Sequence, residues 1–186
     1  MKKAELNYNQ HLSGKGEWIR YFAEYDSAVK ILFENIRGGE ITIVSLPLAF
    51  LIRHTLEIGY KANLIELEKV SGRKAKIEYK GKSAHKIDNL HKEFEDQMHS
   101  IIKKHDFSKE DCKRFSELND KLIKLKRTLH KLDELSYSFR YPVENDGITL
   151  NFKDEDVLNF KNIKELYDES IVLLKYSTDV VNTYLK

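Results

Sequence analysis

Apolar residues recur at spacings of three and four along most of this chain, which is the pattern of amphipathic helices. The second of these runs is apolar nearly all round and is therefore expected at the centre of the molecule. The predicted helices cover about residues 18–37, 42 or 45 to 70, 84–104, 108 to 133 or 135, and 157 or 162 to 184. The pattern predicts an all-α, up-and-down helical bundle of about five helices.

Two stretches interrupt the helical pattern. Residues 73–83 are basic and short of apolar positions, which predicts a loop. Residues 136–153 carry strand and turn residues, with Asn145-Asp146-Gly147 between two short apolar segments. We expect a short irregular or hairpin insertion in this second stretch.

A narrow stripe of ionisable residues lies on the predicted central helix. Arg53, His54, Glu57 and Lys61 fall within about a quarter turn of one another, among Leu, Ile, Phe and Ala. Charges on a buried helix cost several kcal/mol each unless they are paired. The stripe must therefore meet partners, water or a ligand.

The stripe has two interpretations. It forms an ion-pair ladder if Arg53, Glu57 and Lys61 bond along their four-residue steps. Alternatively, Glu57 orients His54 or Arg53, His54 acts as an acid or base near neutral pH, and Arg53 and Lys61 hold a phosphate. The residues alone leave both interpretations open.

A second candidate site is the segment Phe139-Arg140-Tyr141-Pro142. An arginine flanked by aromatic residues, with a proline fixing the backbone, is suited to presenting one guanidinium group. The alternative is that Arg140 pairs with Glu57 or Glu144 and only ties the loop to the bundle. His85, just before the third helix, is expected to face the stripe.

Length and charge limit the functions that fit. The chain of 186 residues is expected to form one domain over 1–186, with its core at about 18–184. Its 32 basic and 30 acidic residues give a net charge of +2. With so small a net charge the protein as a whole does not attract polyanions strongly, so nucleic-acid binding would need a local patch of positive charge.

A few residues bear on the cellular location of the protein and on metal binding. Cys112 is the only cysteine, and the first residues show no apolar leader. The longest apolar-rich stretch, residues 41–52, is shorter than the ~20 residues that cross a bilayer. We expect a cytoplasmic protein with no membrane span. The spacing of histidines, cysteine and carboxylates predicts no metal ligation and no cofactor.

The order of three segments resembles bacterial HEPN-like helical proteins, including uncharacterised and abortive-infection types. These segments are Leu51 to Lys61, His85 to Leu90, and Phe139 to Pro142. The resemblance implies a helical bundle that is often dimeric, and active members are metal-independent ribonucleases of toxin-antitoxin and phage-defence systems. Their usual motif, an Arg followed by four to six residues and a His, does not occur in this sequence.

From this resemblance we expect a homodimer that acts on or binds RNA or a nucleotide, with a possible antitoxin or other protein partner. A histidine would take the 2'-hydroxyl proton and an arginine would steady the phosphorane. The alternatives are a non-enzymatic interaction module whose stripe is a structural ion-pair network, and a small-molecule pocket between the second and fourth helices. The candidate residues are Arg53, His54, Glu57, His85 and Arg140 for catalysis, and Lys61 and Tyr141 for ligand binding.

Overall fold

The computed structural model describes residues 17–78 and 80–185, apart from the side chain of Lys82. Within these ranges it contains five α-helices and no strand, which confirms the predicted all-α bundle. The helices are α1 (Trp18–Asn35), α2 (Ile41–Ser71), α3 (Ile87–Lys104), α4 (Lys109–His130) and α5 (Phe160–Thr183). Short 3-10 turns occupy Gly38–Glu40 and Lys82–His85. The N-terminal residues on which the expected absence of a leader rests lie outside the described ranges.

The helix ends follow the expected local chemistry. Gly72 closes α2 with a left-handed backbone, φ +69°, which glycine adopts without steric cost. Ser108 caps α4, its hydroxyl accepting from the amide N–H of Asp111 at 3.1 Å. α2 begins slightly earlier than predicted, so Pro47 lies beyond the first turn, and its side chain faces outward.

α2 is the central helix. It has 31 residues, packs against all four other helices, and carries most of the largest fully buried side chains. A helix of this length extends about 46 Å, well beyond its neighbours. This placement agrees with the nearly uniform apolar character of its sequence.

α2 and α3 run in the same direction, so this pair departs from the predicted up-and-down order, whereas α3 and α4 are antiparallel. Tyr60 of α2 meets His91 of α3, and ten residues further along α2 the carbonyl of Val70 accepts from Lys104 at the end of α3. The parallel arrangement arises because the chain between α2 and α3, described at residues 72–78 and 80–86, runs back along α2 before α3 begins. This return segment brings His85 back beside the middle of α2.

The predicted turn between α4 and α5 is present. Val143 and Leu150 form one antiparallel bridge, and the amide of Glu144 donates to the carbonyl of Thr149 at 2.7 Å. The Asp146 side chain accepts from the amides of residues 148 and 149. The rest of 136–153 is irregular, as expected.

The helical stretch Gly38–Ser71 satisfies the length and composition criteria for a membrane span, with a mean hydropathy of 1.5 in its most apolar window. In the fold, 44% of that window is buried against protein. The core helix of a soluble protein satisfies the same criteria.

Candidate functional site

Glu57 is the centre of the polar stripe and is only 3% exposed. Its Oε1 accepts a hydrogen bond from Lys61 Nζ at 2.8 Å and lies 3.0 Å from Nδ1 of His85. Its Oε2 lies 3.4 Å from Nη1 of Arg53. The four-residue steps of the helix place Arg53 and Lys61 on either side of the carboxylate. The ladder therefore exists, and a residue from outside α2 completes it.

Arg53 is fully buried and joins three segments of the chain. Its Nε donates to the carbonyl of Asp133 at 2.8 Å. Its Nη2 donates to the carbonyls of His85 at 2.6 Å and Glu134 at 3.0 Å. The guanidinium thus holds the return segment and the chain after α4 against α2, in the interior rather than at the surface.

Lys61, considered as a phosphate ligand, also lies inside the protein. It is 4% exposed, and its ammonium lies 5.8 Å from the centre of the Trp18 ring. Its bond to Glu57 balances the carboxylate. Arg53 and Lys61 together occupy the positions expected of a structural network.

His85 connects this buried network to solvent. Its side chain is 46% exposed, although Nδ1 contacts the buried Glu57 carboxylate. Because an ionised carboxylate can only accept, the hydrogen lies on Nδ1, and the neutral ring keeps its basic lone pair on Nε2. A histidine oriented by a buried carboxylate in this way is the arrangement of a general base.

His54 lies between two aromatic rings. It stacks on Phe50 at a centroid distance of 5.4 Å and meets the edge of Tyr25 at 4.8 Å. Burial lowers the pKa of His54; the negative charge of Glu57 opposes this shift, whereas the positive charge of Lys61 adds to it. Among the described contacts, Glu57 bonds Arg53, Lys61 and His85 but not His54. The prediction that Glu57 orients Arg53 therefore agrees with the geometry, and the one for His54 does not.

Arg140 and Tyr141 form the exposed rim of the same region. The Arg140 guanidinium carbon lies 5.6 Å from the Phe50 ring centre and 5.3 Å from that of Tyr141. Its Nε donates to the carbonyl of Ser136 at 2.7 Å. Tyr141 is 45% exposed and packs on Tyr137 at 4.5 Å. Arg140 is exposed and makes no described ion pair with Glu57 or Glu144.

The charges of the cluster act on one another. Burial opposes ionisation of Glu57, but hydrogen bonds and charges from Lys61 and His85 hold the pKa of its carboxyl below the ordinary value. Burial, together with the positive charge of Arg140, lowers the pKa of Arg53, while Asp133 and Glu57 oppose that shift. The contact of Arg140 with Phe50 of α2 places this residue beside the stripe, which agrees with its influence on Arg53.

Asp133 belongs to the network but escaped sequence reasoning. It is fully buried, and its Oδ1 accepts from the amides of Tyr137 at 2.6 Å and Ser138 at 3.1 Å. Its Oδ2 lies 3.7 Å from Arg53 Nε. An aspartate just after a helix, before a serine-rich turn, is a weak sign of such capping.

The other histidines of α3 do not join this site. His91 is 3% exposed and contacts Tyr60, while His99 packs on the edge of Phe115. In the part of the chain that the structure describes, no group of three or more His, Cys, Asp or Glu is placed to hold a metal ion.

Comparison with known proteins finds no match among family models, curated proteins or solved structures.

Proposed function

We propose that this protein is a HEPN-like, metal-independent ribonuclease with His85 as its general base. One observation carries the proposal: half-exposed His85 bonds through Nδ1 to buried Glu57, and this leaves Nε2 for a substrate. Arg140, which has no ion-pair partner among the described residues, lies over the Phe50 ring, one helical turn before Arg53. A base and a cation are the groups that phosphodiester cleavage requires.

The proposed reaction needs only the ribose and the phosphate of RNA. His85 Nε2 removes the proton from the 2'-hydroxyl, and the 2'-oxygen attacks the adjacent phosphorus. The bond to the 5'-oxygen breaks, that oxygen takes a proton from water, and a 2',3'-cyclic phosphate remains. Glu57 stabilises the protonated imidazole, and Arg140 stabilises the charge on the phosphorane. Arg53 and Lys61 are positioning residues that hold Glu57.

The aromatic rim supports single-stranded RNA as the substrate. Tyr141 is half exposed beside Tyr137, and Phe50 lies below Arg140. Unpaired bases stack on aromatic rings, whereas bases in a duplex are hidden from them. The proposal extends, through the HEPN resemblance alone, to a cytoplasmic homodimer with a defence or stress role and an antitoxin-like partner.

The test is incubation of the purified protein with transfer RNA and a single-stranded oligoribonucleotide in EDTA. We expect cleavage with cyclic-phosphate ends, reduced at least about a hundredfold in His85→Ala and in Arg140→Ala. His99→Ala and Arg114→Ala are the matched controls, because both are exposed and lie away from the cluster. Intact RNA with the wild-type protein, or equal cleavage by all variants, would contradict the proposal.

A second candidate function is favoured by the contacts of Arg53. Its buried guanidinium is engaged by Glu57 and by three backbone carbonyls, as in a purely structural network. In that case the protein is a non-enzymatic interaction module. If the wild-type protein neither cleaves nor binds RNA, this alternative is favoured.

A further inference from the structure

A polar cavity of about 380 Å³ lies between α3 and α4, apart from the His85 site. It forms where the first turns of α3 meet the last turns of α4, which run antiparallel. Its walls include Asp88, Lys92, Glu95, Lys126, Arg127 and His91. The proposed cleavage reaction uses none of these residues.

The two acidic groups of this cavity are already engaged by the protein. Asp88 bonds Lys126 Nζ at 2.6 Å and lies 3.0 Å from Nε2 of His130. Glu95 accepts from Asn119 Nδ2 at 2.8 Å.

The cations at the mouth of the cavity are not engaged in this way. Lys92 and Arg127 are exposed, and neither has an ion-pair partner within 17–78 and 80–185. Lys92, Lys126 and Arg127 outnumber Asp88 and Glu95 along the walls, so the cavity carries a net positive charge.

His91 adds a buried donor to the wall. Its Nδ1 lies 3.0 Å from the hydroxyl of fully buried Tyr60. Burial raises the pKa of Tyr60 well above its ordinary value, so this hydroxyl keeps its proton. Tyr60 has no other described acceptor, so it donates to Nδ1.

This bond determines the tautomer of His91. With Nδ1 accepting, the neutral ring carries its hydrogen on Nε2, and that atom has no partner among the described residues. Burial, aided by Lys126 and Arg127, lowers the pKa of His91 to about 4, so the ring is neutral at physiological pH. A buried N–H without an acceptor is rare and indicates a missing partner.

We infer that this cavity binds a phosphate group, with Lys92 and Arg127 at its mouth and the Nε2–H of His91 as a donor in its wall. Cations and neutral N–H donors together are the usual ligands of phosphate oxygens. The group could be free phosphate, a nucleoside monophosphate or a phosphate of an RNA strand, since the recognition chemistry is shared. The inference does not depend on cleavage at His85.

The probes are inorganic phosphate, adenosine monophosphate and a short oligoribonucleotide, titrated by calorimetry and followed through the His91 imidazole nitrogens by NMR. We expect saturable binding of at least one probe and a shift of the Nε2 resonance. Lys92→Ala and Arg127→Ala should each weaken binding about tenfold, because each removes a charge-assisted bond. The comparison among the three probes identifies the source of the phosphate.

The controls are Lys103→Ala on α3 and Arg114→Ala on α4, both exposed and remote from the cavity. These variants should bind like the wild type. The double variant Lys92→Ala/Arg127→Ala changes only surface residues, and circular dichroism would verify its fold. Absence of saturable binding for all three probes, or unchanged binding in the double variant, would overturn the inference. RNA cleavage is measured separately, so failure of either proposal is recognisable by itself.

Discussion

At the scale of single residues, Glu57 decides whether the polar stripe is stable. Its buried carboxylate contacts Lys61, Arg53 and His85. These three interactions offset the free-energy cost of removing the carboxylate from water. The same carboxylate orients the proposed base. Structural and catalytic roles therefore coincide in this residue.

We predict that Glu57→Ala lowers the free energy of unfolding by about 3 to 5 kcal/mol, because it leaves Lys61 as a buried cation without its carboxylate and Arg53 with Asp133 alone. Urea denaturation followed by circular dichroism measures the change. Glu66→Ala is the control, since Glu66 is an exposed partner of Lys69 on the same helix and should change stability by less than about 0.5 kcal/mol. Equal stability of the two variants would show that the network is not important for folding.

At the scale of secondary structure, one small residue of α2, Gly59, allows α1 and α5 to pack closely against it. A Cβ added at Gly59 would lie 2.8 Å from Phe22 Cε2 of α1 and 3.0 Å from Leu174 Cδ1 of α5. The missing side chain therefore allows both helices to approach α2 closely. The sequence shows this glycine inside a helical run but does not show which helices pass over it.

We predict that Gly59→Ala destabilises the protein by about 1 to 3 kcal/mol, because the added methyl group displaces a buried Phe22 ring. The clash exceeds the ~1 kcal/mol that alanine gains over glycine in helix propensity. Thermal and chemical denaturation both report the change. Gly39→Ala is the control, because nothing lies within 4 Å of its added Cβ. A stabilised Gly59→Ala variant would show that α1 and α5 yield easily.

At the scale of the whole molecule, Arg53 joins segments that are distant in the chain. Its bonds to Asp133 and Glu134 bridge 80 and 81 residues, and its bond to His85 bridges 32. These contacts fix the return segment and the chain after α4 against the centre of α2. The His85 site consequently depends on long-range assembly rather than on any one helix.

We predict that Arg53→Lys lowers stability by at least about 3 kcal/mol, because a single ammonium cannot replace a fork that donates in several directions. Hydrogen exchange should accelerate at the amides of Lys86 and Tyr137, which lie in the segments that Arg53 holds. Arg20→Lys, in an exposed pair with Glu24, is the control and should be nearly neutral. Unchanged exchange in Arg53→Lys would show that other contacts hold these segments.

The sequence by itself determined the helices, the central position of α2 and the turn at residues 145–147, and it gave the ladder on α2 as one of two interpretations. These features depend on spacing of three or four residues and on local turn chemistry, which are readable along the chain. The end of α2 at Ser71 and the beginning of α4 after its N-cap Ser108 were predicted for the same reason.

Only the tertiary structure decided which charged groups are buried and which are exposed. Arg53 and Lys61 were candidates for holding a phosphate, but the packing of α1, the return segment and the chain after α4 encloses them. Because the same return segment runs back along α2, α3 lies parallel to α2 and His85 lies next to Glu57. Burial and long-range bonding depend on how distant segments meet, and no local pattern of residues specifies that meeting.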